Sequence, residues 1–284
     1  MSTDASPLRV LLDQDAITSD AIASGCRNGE ATYLKRDFVI RPGHWRGQLV
    51  SPLVARPWLV YRRTVVIGHS DFSLNGPHQV LLAAMGARRV FAINTTPRLR
   101  NVHSMPLGLT NTTRESPLHE ILGNQQHFAS AYEISEEPSS YVGSVYANFT
   151  DSNNQRERRA LRQLISDVPG FALELPTMTD KGRVSYLAKL RSSNFTLCPE
   201  GNGIDTHRLW ETLYMGGIPI IKSNPAIDSL VSDLPVVIVQ SWIDVLNQEY
   251  LEERWHSIQR NSWDFSKLRT SYWLDQINSS SRTS

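Results

Sequence analysis

The second half of the chain alternates short apolar runs with longer segments in which apolar residues recur every three or four positions. Short apolar runs bounded by polar residues are typical of buried parallel strands, and the longer segments have the period of helices with one buried face. The pattern predicts strands at residues 144–149, 171–175, 195–198, 218–221 and 236–239, and helices at 155–166, 183–190 and 206–215. This alternation predicts an α/β domain with a parallel sheet.

The first half shows the same alternation less regularly. We predict strands at residues 9–13, 65–71 and 89–94, and we predict that the proline-containing stretch 33–61 is irregular or short-stranded. Asn75 and Pro77 form a typical helix start, and Gly86 is placed to end that helix.

A polar stretch without clear periodicity, residues 110–141, separates the two halves. Within it, EEPSS at 136–140 is the best linker candidate. We therefore expect an N-terminal Rossmann-like domain at 1–140. A second such domain at 141–284 would end in an amphipathic helix.

The composition is that of a globular protein and excludes several functional classes. The length of 284 residues suits two domains, and the net charge of +1 gives no overall field that would attract nucleic acid. Two cysteines, Cys26 and Cys198, cannot build a disulfide framework and favour a reducing compartment. No signal-peptide pattern and no apolar run of about 20 residues occurs. We expect a cytoplasmic protein without a nucleic-acid partner.

Positive charge is concentrated in one stretch of the N-terminal half. Between residues 35 and 63, seven Lys and Arg residues accompany a single acidic residue, Asp37. A solvated basic surface is one interpretation. Peripheral contact with an anionic membrane surface, or with an anionic acceptor, is the other.

The most informative segment is CPEGNGIDTHRLWETLYMGGIPII, residues 198–221. A predicted strand leads into a loop with Gly201 and Gly203, which would let the backbone approach a ligand and take positive φ. A helix begins near Thr206, so its free N–H groups and its dipole face the loop and favour an anion. Arg208 can neutralise phosphate oxygens, and Glu211 can accept hydrogen bonds from ribose hydroxyls.

The same residues also have an ordinary structural interpretation. His207, Arg208 and Glu211 share the side of the helix opposite its apolar face. Arg208 and Glu211 could then form a surface ion pair worth about 0.2–0.5 kcal/mol. A Gly-x-Gly before a helix is a weak signal, so the residues alone leave a nucleotide site and a packed α/β turn both open.

This segment resembles the donor-binding motif of exostosin-like glycosyltransferases at all of its fixed positions, from Cys198 to Ile221. Weaker resemblances to the same group lie in NVHSMPLGLTN (101–111) and VYANFTDSNNQRERR (145–159). The resemblance implies a GT-B architecture, in which two Rossmann-like domains face a cleft. The C-terminal domain would hold a nucleotide-diphosphate sugar, with a UDP-sugar favoured. The acceptor would be a saccharide, glycan or glycolipid.

The resemblance also implies roles for individual residues. Arg208 would contact the diphosphate and Glu211 the ribose, and Arg158 is a second candidate phosphate ligand whose alternative role is that of a solvated helix arginine. The remaining positions implied to form the donor site are Glu200, Gly201, Asn202, Gly203, Asp205, Thr206 and His207.

Glycosyl transfer needs positive charge at the leaving diphosphate and a base for the acceptor hydroxyl. Arg208 and the loop amides are expected to supply the charge. The base is expected from Asp71 at the tip of the predicted strand 65–71, with His69 on the same strand face. Asp71 could instead only form the turn before the next helix. His44 is a lesser candidate for acceptor contact. We identify no Asp-x-Asp motif that would hold a divalent ion, so we expect no essential metal, in agreement with the usual GT-B pattern. The resemblance also implies inversion and no cofactor.

Three other functions share parts of this pattern. A GT-B-like epimerase would rearrange or hydrolyse the nucleotide sugar without an acceptor. A polysaccharide pyruvyl transferase would use an enol phosphate donor and would not bind a nucleoside diphosphate. A non-catalytic module would bind the nucleotide sugar without turnover.

Overall fold

The computed structural model describes residues 7–27, 31–35, 56–68, 71, 73–111 and 117–279. The first half contains α1 (Pro7–Asp15), α2 (Ser19–Arg27), β1 (Thr32–Lys35), a 3-10 helix (Pro57–Leu59), β2 (Thr64–Gly68), α3 (Gly76–Ala84), β3 (Arg89–Ala92), β4 (Val102–Ser104), α4 (Pro117–Leu122) and α5 (Gln126–Ile134). The second half contains β5 (Val145–Asn148), α6 (Gln155–Ile165), β6 (Phe171–Glu174), α7 (Asp180–Ser192), β7 (Phe195–Leu197), α8 (His207–Tyr214), β8 (Pro219–Lys222), α9 (Asp228–Val231), β9 (Val237–Val239), a 3-10 helix (Trp242–Leu246), α10 (Gln248–Arg260), a 3-10 helix (Phe265–Leu268) and α11 (Thr270–Asn278).

Two parallel sheets organise these elements. The first has the strand order β1-β2-β3-β4, and the second has the order β6-β5-β7-β8-β9. All of their strand pairs are parallel, with Val65 opposite Val90 in the first sheet and Ile220 opposite Val237 in the second. The predicted α/β class with parallel sheets is confirmed.

Local signals placed several elements correctly. The Asn75 side chain accepts a hydrogen bond from the His78 amide (3.3 Å) and caps α3, and Gly86 ends the turn with φ +81°. In the second half, each predicted strand and helix is present within three residues of its predicted bounds. The stretch 136–140 contains no helix or strand, as expected of a connection.

The prediction of a first strand at 9–13 is wrong, because these residues lie in α1. Leu8, Leu11 and Leu12 are spaced for one helix face, and Leu11 and Leu12 are buried. The stretch 33–61 contributes β1, which pairs with β2.

The stretch 110–141 contains α4 and α5, which we did not predict. The buried face of α5 includes His127 beside Phe128, Ala131 and Tyr132, so a polar residue interrupts its apolar pattern. The short helix α9 also has no counterpart among the predictions.

A shared apolar core joins the two halves. It includes residues of α1, α5, α7, α8 and α11 together with Phe91 and Ile93 of the first sheet region. The Tyr214 hydroxyl accepts from the Ile17 amide (2.8 Å) and donates to the Leu268 carbonyl (2.5 Å), so one side chain links α8 to both ends of the chain. The C-terminal helix α11 packs on α2. No helix of the described residues is both long and apolar enough to span a bilayer.

Candidate functional site

The loop between β7 and α8 lies where the carboxyl ends of the two sheets meet. The Asn94 side chain, after β3, accepts from the Asp205 amide (2.7 Å). Asp205 in turn accepts from the Leu107 amide, after β4 (2.7 Å). Ligands of open α/β sheets bind in the crevice at the carboxyl ends of the strands, so this junction is the expected place for a site.

Asp205 itself is buried and does not line the loop surface. Its second oxygen accepts from the Trp210 indole N–H (2.8 Å), and only 4% of the residue is exposed. Burial raises the pKa of Asp205 to about 7, against the opposing effect of the donated hydrogen bonds. The prediction that Asp205 faces the sugar or phosphates is corrected, because both oxygens of its carboxyl group accept hydrogen bonds in the interior, one from each half of the chain.

Gly201 and Gly203 lie close to neighbouring side chains. Neither has a positive φ, contrary to our prediction. A Cβ atom on Gly203 would lie 2.5 Å from Asn94 Nδ2, and one on Gly201 would lie 3.0 Å from Arg158 Nη2. At both positions the absence of a Cβ atom leaves room for a neighbouring side chain.

Arg158 is neither solvated nor free. It is buried, and its guanidinium donates to the carbonyls of Glu200 (2.8 Å), Pro199 (3.3 Å) and Thr150 (3.4 Å). Burial first, and the charge of Arg208 second, lower its pKa to about 10. Arg158 thus shapes the loop backbone, and both of our interpretations of it need this correction.

The N-terminus of α8 lies at the junction. Thr206 is the N-cap residue, but its side chain makes no capping hydrogen bond. His207 Nδ1 lies 2.7 Å from the Gly108 carbonyl. Since a carbonyl can only accept, Nδ1 carries the proton and Nε2 keeps its lone pair. Burial lowers the pKa of His207, against the opposing charge of Glu211, so the ring is neutral at pH 7.

Arg208 is the least satisfied side chain of this region. Its Nε and Nη1 atoms are excluded from solvent, and neither has a hydrogen-bond partner among the described residues. No described carboxylate lies within ion-pair distance of it. Its positive charge opposes the burial that raises the pKa values of Tyr146 and Tyr186, so the guanidinium lies near both rings.

Glu211 is buried, and it does not pair with Arg208. It accepts from Arg183 Nη2 (2.6 Å) and from the Tyr186 hydroxyl (2.7 Å). Burial opposes ionisation, but the charge of Arg183 outweighs it, and the pKa of Glu211 is lowered. The alternative of a surface pair between Arg208 and Glu211 is excluded by this geometry. Contact of Glu211 with a ribose stays a prediction.

The remaining predicted residues lie around the loop and across the junction. Glu200 accepts from Asn224 Nδ2 (2.8 Å), and Asn202 is exposed. Asp71 is exposed, and its charge acts to raise the pKa of His207. His69 and His44, the other predicted catalytic and acceptor residues, lie outside the described residues.

Sequence reasoning missed Asn94, Arg183 and Tyr186. Asn94 stands at the end of the predicted strand 89–94, as Asp71 stands at the end of the predicted strand 65–71. The same signal could therefore have predicted Asn94. Arg183 and Tyr186 lie one turn apart on α7. Nothing in their spacing distinguishes them from residues on a solvated helix face.

The described residues contain no group of three or more His, Cys, Asp or Glu side chains that could hold a metal ion. Our statement that the sequence has no Asp-x-Asp motif is wrong, because Asp13-Gln14-Asp15 in α1 is such a triplet. Asp15 accepts from the Ser271 amide (3.0 Å), so this triplet lies against α11 and away from the junction.

Comparison with known proteins finds a family match in the second half of the chain. Residues 136–260 match the family model described as the RXYLT1 C-terminal domain. No curated protein sequence matches the chain significantly. The chain also resembles "Spinosyn Rhamnosyltransferase SpnG complexed with thymidine diphosphate" at 8% identity, over 98% of this chain and 79% of that one, with a TM-score of 0.37. Folds related at this level are too different for a comparison of their sites. The family match covers the segment 198–221, and it supports the glycosyltransferase resemblance found there.

Proposed function

We propose that this protein transfers a sugar from a nucleotide-diphosphate sugar, with a UDP-sugar favoured, to a saccharide, glycan or glycolipid acceptor. The observation that carries the proposal is the unsatisfied guanidinium of Arg208 beside the uncapped N-terminus of α8. Buried donors without acceptors cost stability. Two such donors on one side chain, Nε and Nη1 of Arg208, therefore indicate a ligand that supplies the acceptors. A diphosphate supplies acceptor oxygens and negative charge together.

The chemistry of transfer divides between the two halves of the junction. As the bond from the anomeric carbon to the diphosphate oxygen breaks, negative charge grows on the leaving group. Arg208 and the first amides of α8 stabilise that charge. The acceptor hydroxyl attacks the anomeric carbon from the opposite face, with inversion, and loses its proton to a base.

Asp71 is our proposed base, because it is exposed on the N-terminal side of the junction and its charge reaches His207. His207 is the first residue of α8, and with its proton on Nδ1 the Nε2 lone pair would accept a hydrogen bond from the donor. With Arg208 as the charge at the leaving group, no metal or other cofactor is part of this proposal. Asp71→Asn should therefore abolish turnover while donor binding is kept.

The first test is a thermal-shift panel of uridine, guanosine, cytidine and thymidine diphosphates in the presence of EDTA. A ligand that binds only the folded state raises the melting temperature by mass action. We expect a shift that is selective for one nucleotide and is lost in Arg208→Met. The matched control is Arg159→Met, since Arg159 is an exposed arginine on α6.

The apo form of Arg208→Met gives a second, independent readout. Because the substitution removes unsatisfied buried donors, the variant should melt at or above the temperature of the wild type. Lost nucleotide binding together with a markedly lower melting temperature would instead make Arg208 a structural residue and would contradict the proposed site.

The same panel, together with product analysis, separates the rival functions. A pyruvyl transferase would show no shift with any nucleoside diphosphate. An epimerase would convert or hydrolyse the donor without an acceptor, which product analysis detects. A non-catalytic module would bind the nucleotide and leave the donor sugar unchanged with every acceptor tried.

A further inference from the structure

The N-terminal half of the chain carries an unusual excess of positive charge. Between Ala31 and Asn111 the sequence contains eleven Lys and Arg residues, and Asp37 and Asp71 are its only acidic residues. Mixed charges are the rule on protein surfaces, and a single-sign face favours partners of opposite charge. Arg158 and Arg208, the arginines at the β7–α8 loop, belong to the other half and are not part of this excess.

The fold brings part of this charge together at the end of the first sheet where its strands begin. The Arg62 amide donates to the Gly86 carbonyl (2.8 Å), and the Arg88 amide donates to the Arg63 carbonyl (2.9 Å). On the far side, Asn101 Nδ2 donates to the Ala87 carbonyl (3.1 Å). The segments that precede β2, β3 and β4 are thereby held side by side. We call the exposed set Trp58, Tyr61, Arg62, Arg63, Arg88 and Arg100 the basic edge.

Two large aromatic side chains project from the basic edge. Trp58 is 63% exposed and Tyr61 is 61% exposed, on the tight turn formed by the 3-10 helix and the residues after it. Exposed Trp and Tyr among cationic side chains are typical of surfaces that insert at the level of lipid headgroups. The arginines suit the phosphates of those headgroups, because guanidinium pairs with phosphate through two parallel hydrogen bonds.

The basic edge lies at the end of the sheet opposite to the junction. Its residues precede the parallel strands, whereas Asp71, Asn94 and Leu107 follow them. A surface bound at the basic edge therefore leaves the junction accessible. The C-terminal helix borders this edge, where the Gln276 carbonyl accepts from Arg89 Nη1 (2.8 Å) and the acidic Asp275 is exposed nearby in sequence.

We propose that the basic edge docks this protein on an anionic phospholipid surface. The aromatic rings enter the headgroup layer, and the arginines neutralise lipid phosphates and carboxylates. This proposal does not depend on the glycosyltransferase function, since it uses no residue of the junction.

The test is co-sedimentation of the full chain with vesicles of pure phosphatidylcholine and with vesicles of equal parts phosphatidylcholine and phosphatidylserine. We expect binding to the anionic vesicles only, and we expect it to weaken as salt rises. Arg62→Glu with Arg63→Glu should weaken partitioning at least roughly 30-fold, since each basic residue near an anionic surface contributes about fivefold. Trp58→Ser with Tyr61→Ser should also weaken binding while leaving its salt dependence unchanged.

Arg156→Glu with Arg159→Glu on α6 is the matched control, since both residues are exposed arginines of the other half. Circular dichroism and melting temperature confirm that each variant is folded. Several outcomes overturn the proposal: no vesicle binding by the wild type, equal binding to both vesicle types, or an equal loss in the control pair. Tight binding of a heparin oligosaccharide or a single-stranded oligonucleotide, with both aromatics dispensable, would also overturn it in favour of a soluble polyanion.

Discussion

Asp205→Ala tests the contact that holds the two halves together. The substitution leaves the Leu107 amide and the Trp210 indole N–H without acceptors in the interior. A buried donor left unsatisfied costs about 1–3 kcal/mol, so the two together cost about 2–6 kcal/mol. Total stabilities of native proteins are about 5–15 kcal/mol. We therefore expect the variant to lose a large part of its free energy of unfolding.

Asp205→Asn separates the hydrogen bonds from the charge. The amide keeps one acceptor oxygen but turns an NH2 group toward the other donor, so the expected cost is about 1–3 kcal/mol. Burial raises the pKa of Asp205 to about 7. The asparagine also removes the desolvation cost of a partly ionised carboxyl group, which moves the loss toward the lower end of that range. The expected order of stability is wild type, then Asn, then Ala.

Urea unfolding followed by tryptophan fluorescence and by far-UV circular dichroism measures this order. The alanine variant should unfold at a urea concentration lower by roughly 1 M. Asp233→Asn is the control, since Asp233 is 60% exposed and pairs with Lys267 at the surface (2.7 Å). Its expected effect is below about 1 kcal/mol. An alanine variant as stable as the wild type, or a control that costs as much, would refute the reasoning.

Three further predictions concern the surroundings of the junction. Glu211→Gln should cost about 3–5 kcal/mol, because Arg183 then keeps its charge in the interior without an opposite charge, whereas Glu211→Leu with Arg183→Met should cost less in the same urea assay. The lowered pKa of His207 means that the folded state binds its proton less tightly than the unfolded state. The stability contributed by neutral His207 is therefore complete above about pH 6.5 and falls below it, so the advantage of the wild type over His207→Gln should shrink between about pH 7.5 and pH 5.5. The titration of Asp205 changes the free energy of unfolding in the opposite direction. Because it does so equally in the wild type and in His207→Gln, it cancels when the two are subtracted. Gly108→Ala should destabilise by about 1–3 kcal/mol, since φ is +72° and the new Cβ would lie 2.3 Å from a backbone oxygen, while Gly76→Ala, with no such strain, should be close to neutral by melting temperature.

The elements that depend on local signals were predictable from the sequence. The strands of the second sheet are short apolar runs with turn residues on both sides. α3 has its cap in Asn75 and its stop in Gly86, two positions where one residue decides the conformation. The segment 198–221 likewise contained enough local pattern to predict strand, loop and helix in order. In contrast, α1 was predicted as a strand because its apolar run is short, and α5 was missed because His127 interrupts the pattern.

The roles of the junction residues were decided by partners far away in sequence. Asp205 faces inward because the amide that it accepts from, at Leu107, is 98 residues away. Glu211 is neutralised by Arg183 on α7 instead of by Arg208, its neighbour on the same helix. Once Glu211 is occupied in this way, Arg208 is left with donors that nothing in the described fold satisfies.

The sequence by itself determined the α/β class, the order of most elements and the location of the candidate donor loop, because apolar periodicity, caps and glycines act over a few residues. Only the tertiary structure decided which polar side chains bond to other groups of the protein and which keep donors available for a ligand. Hydrogen bonds and ion pairs are limited in number for each group, and burial makes each unpaired donor or charge costly. The assignment of partners therefore depends on the whole set of side chains that folding brings into one place.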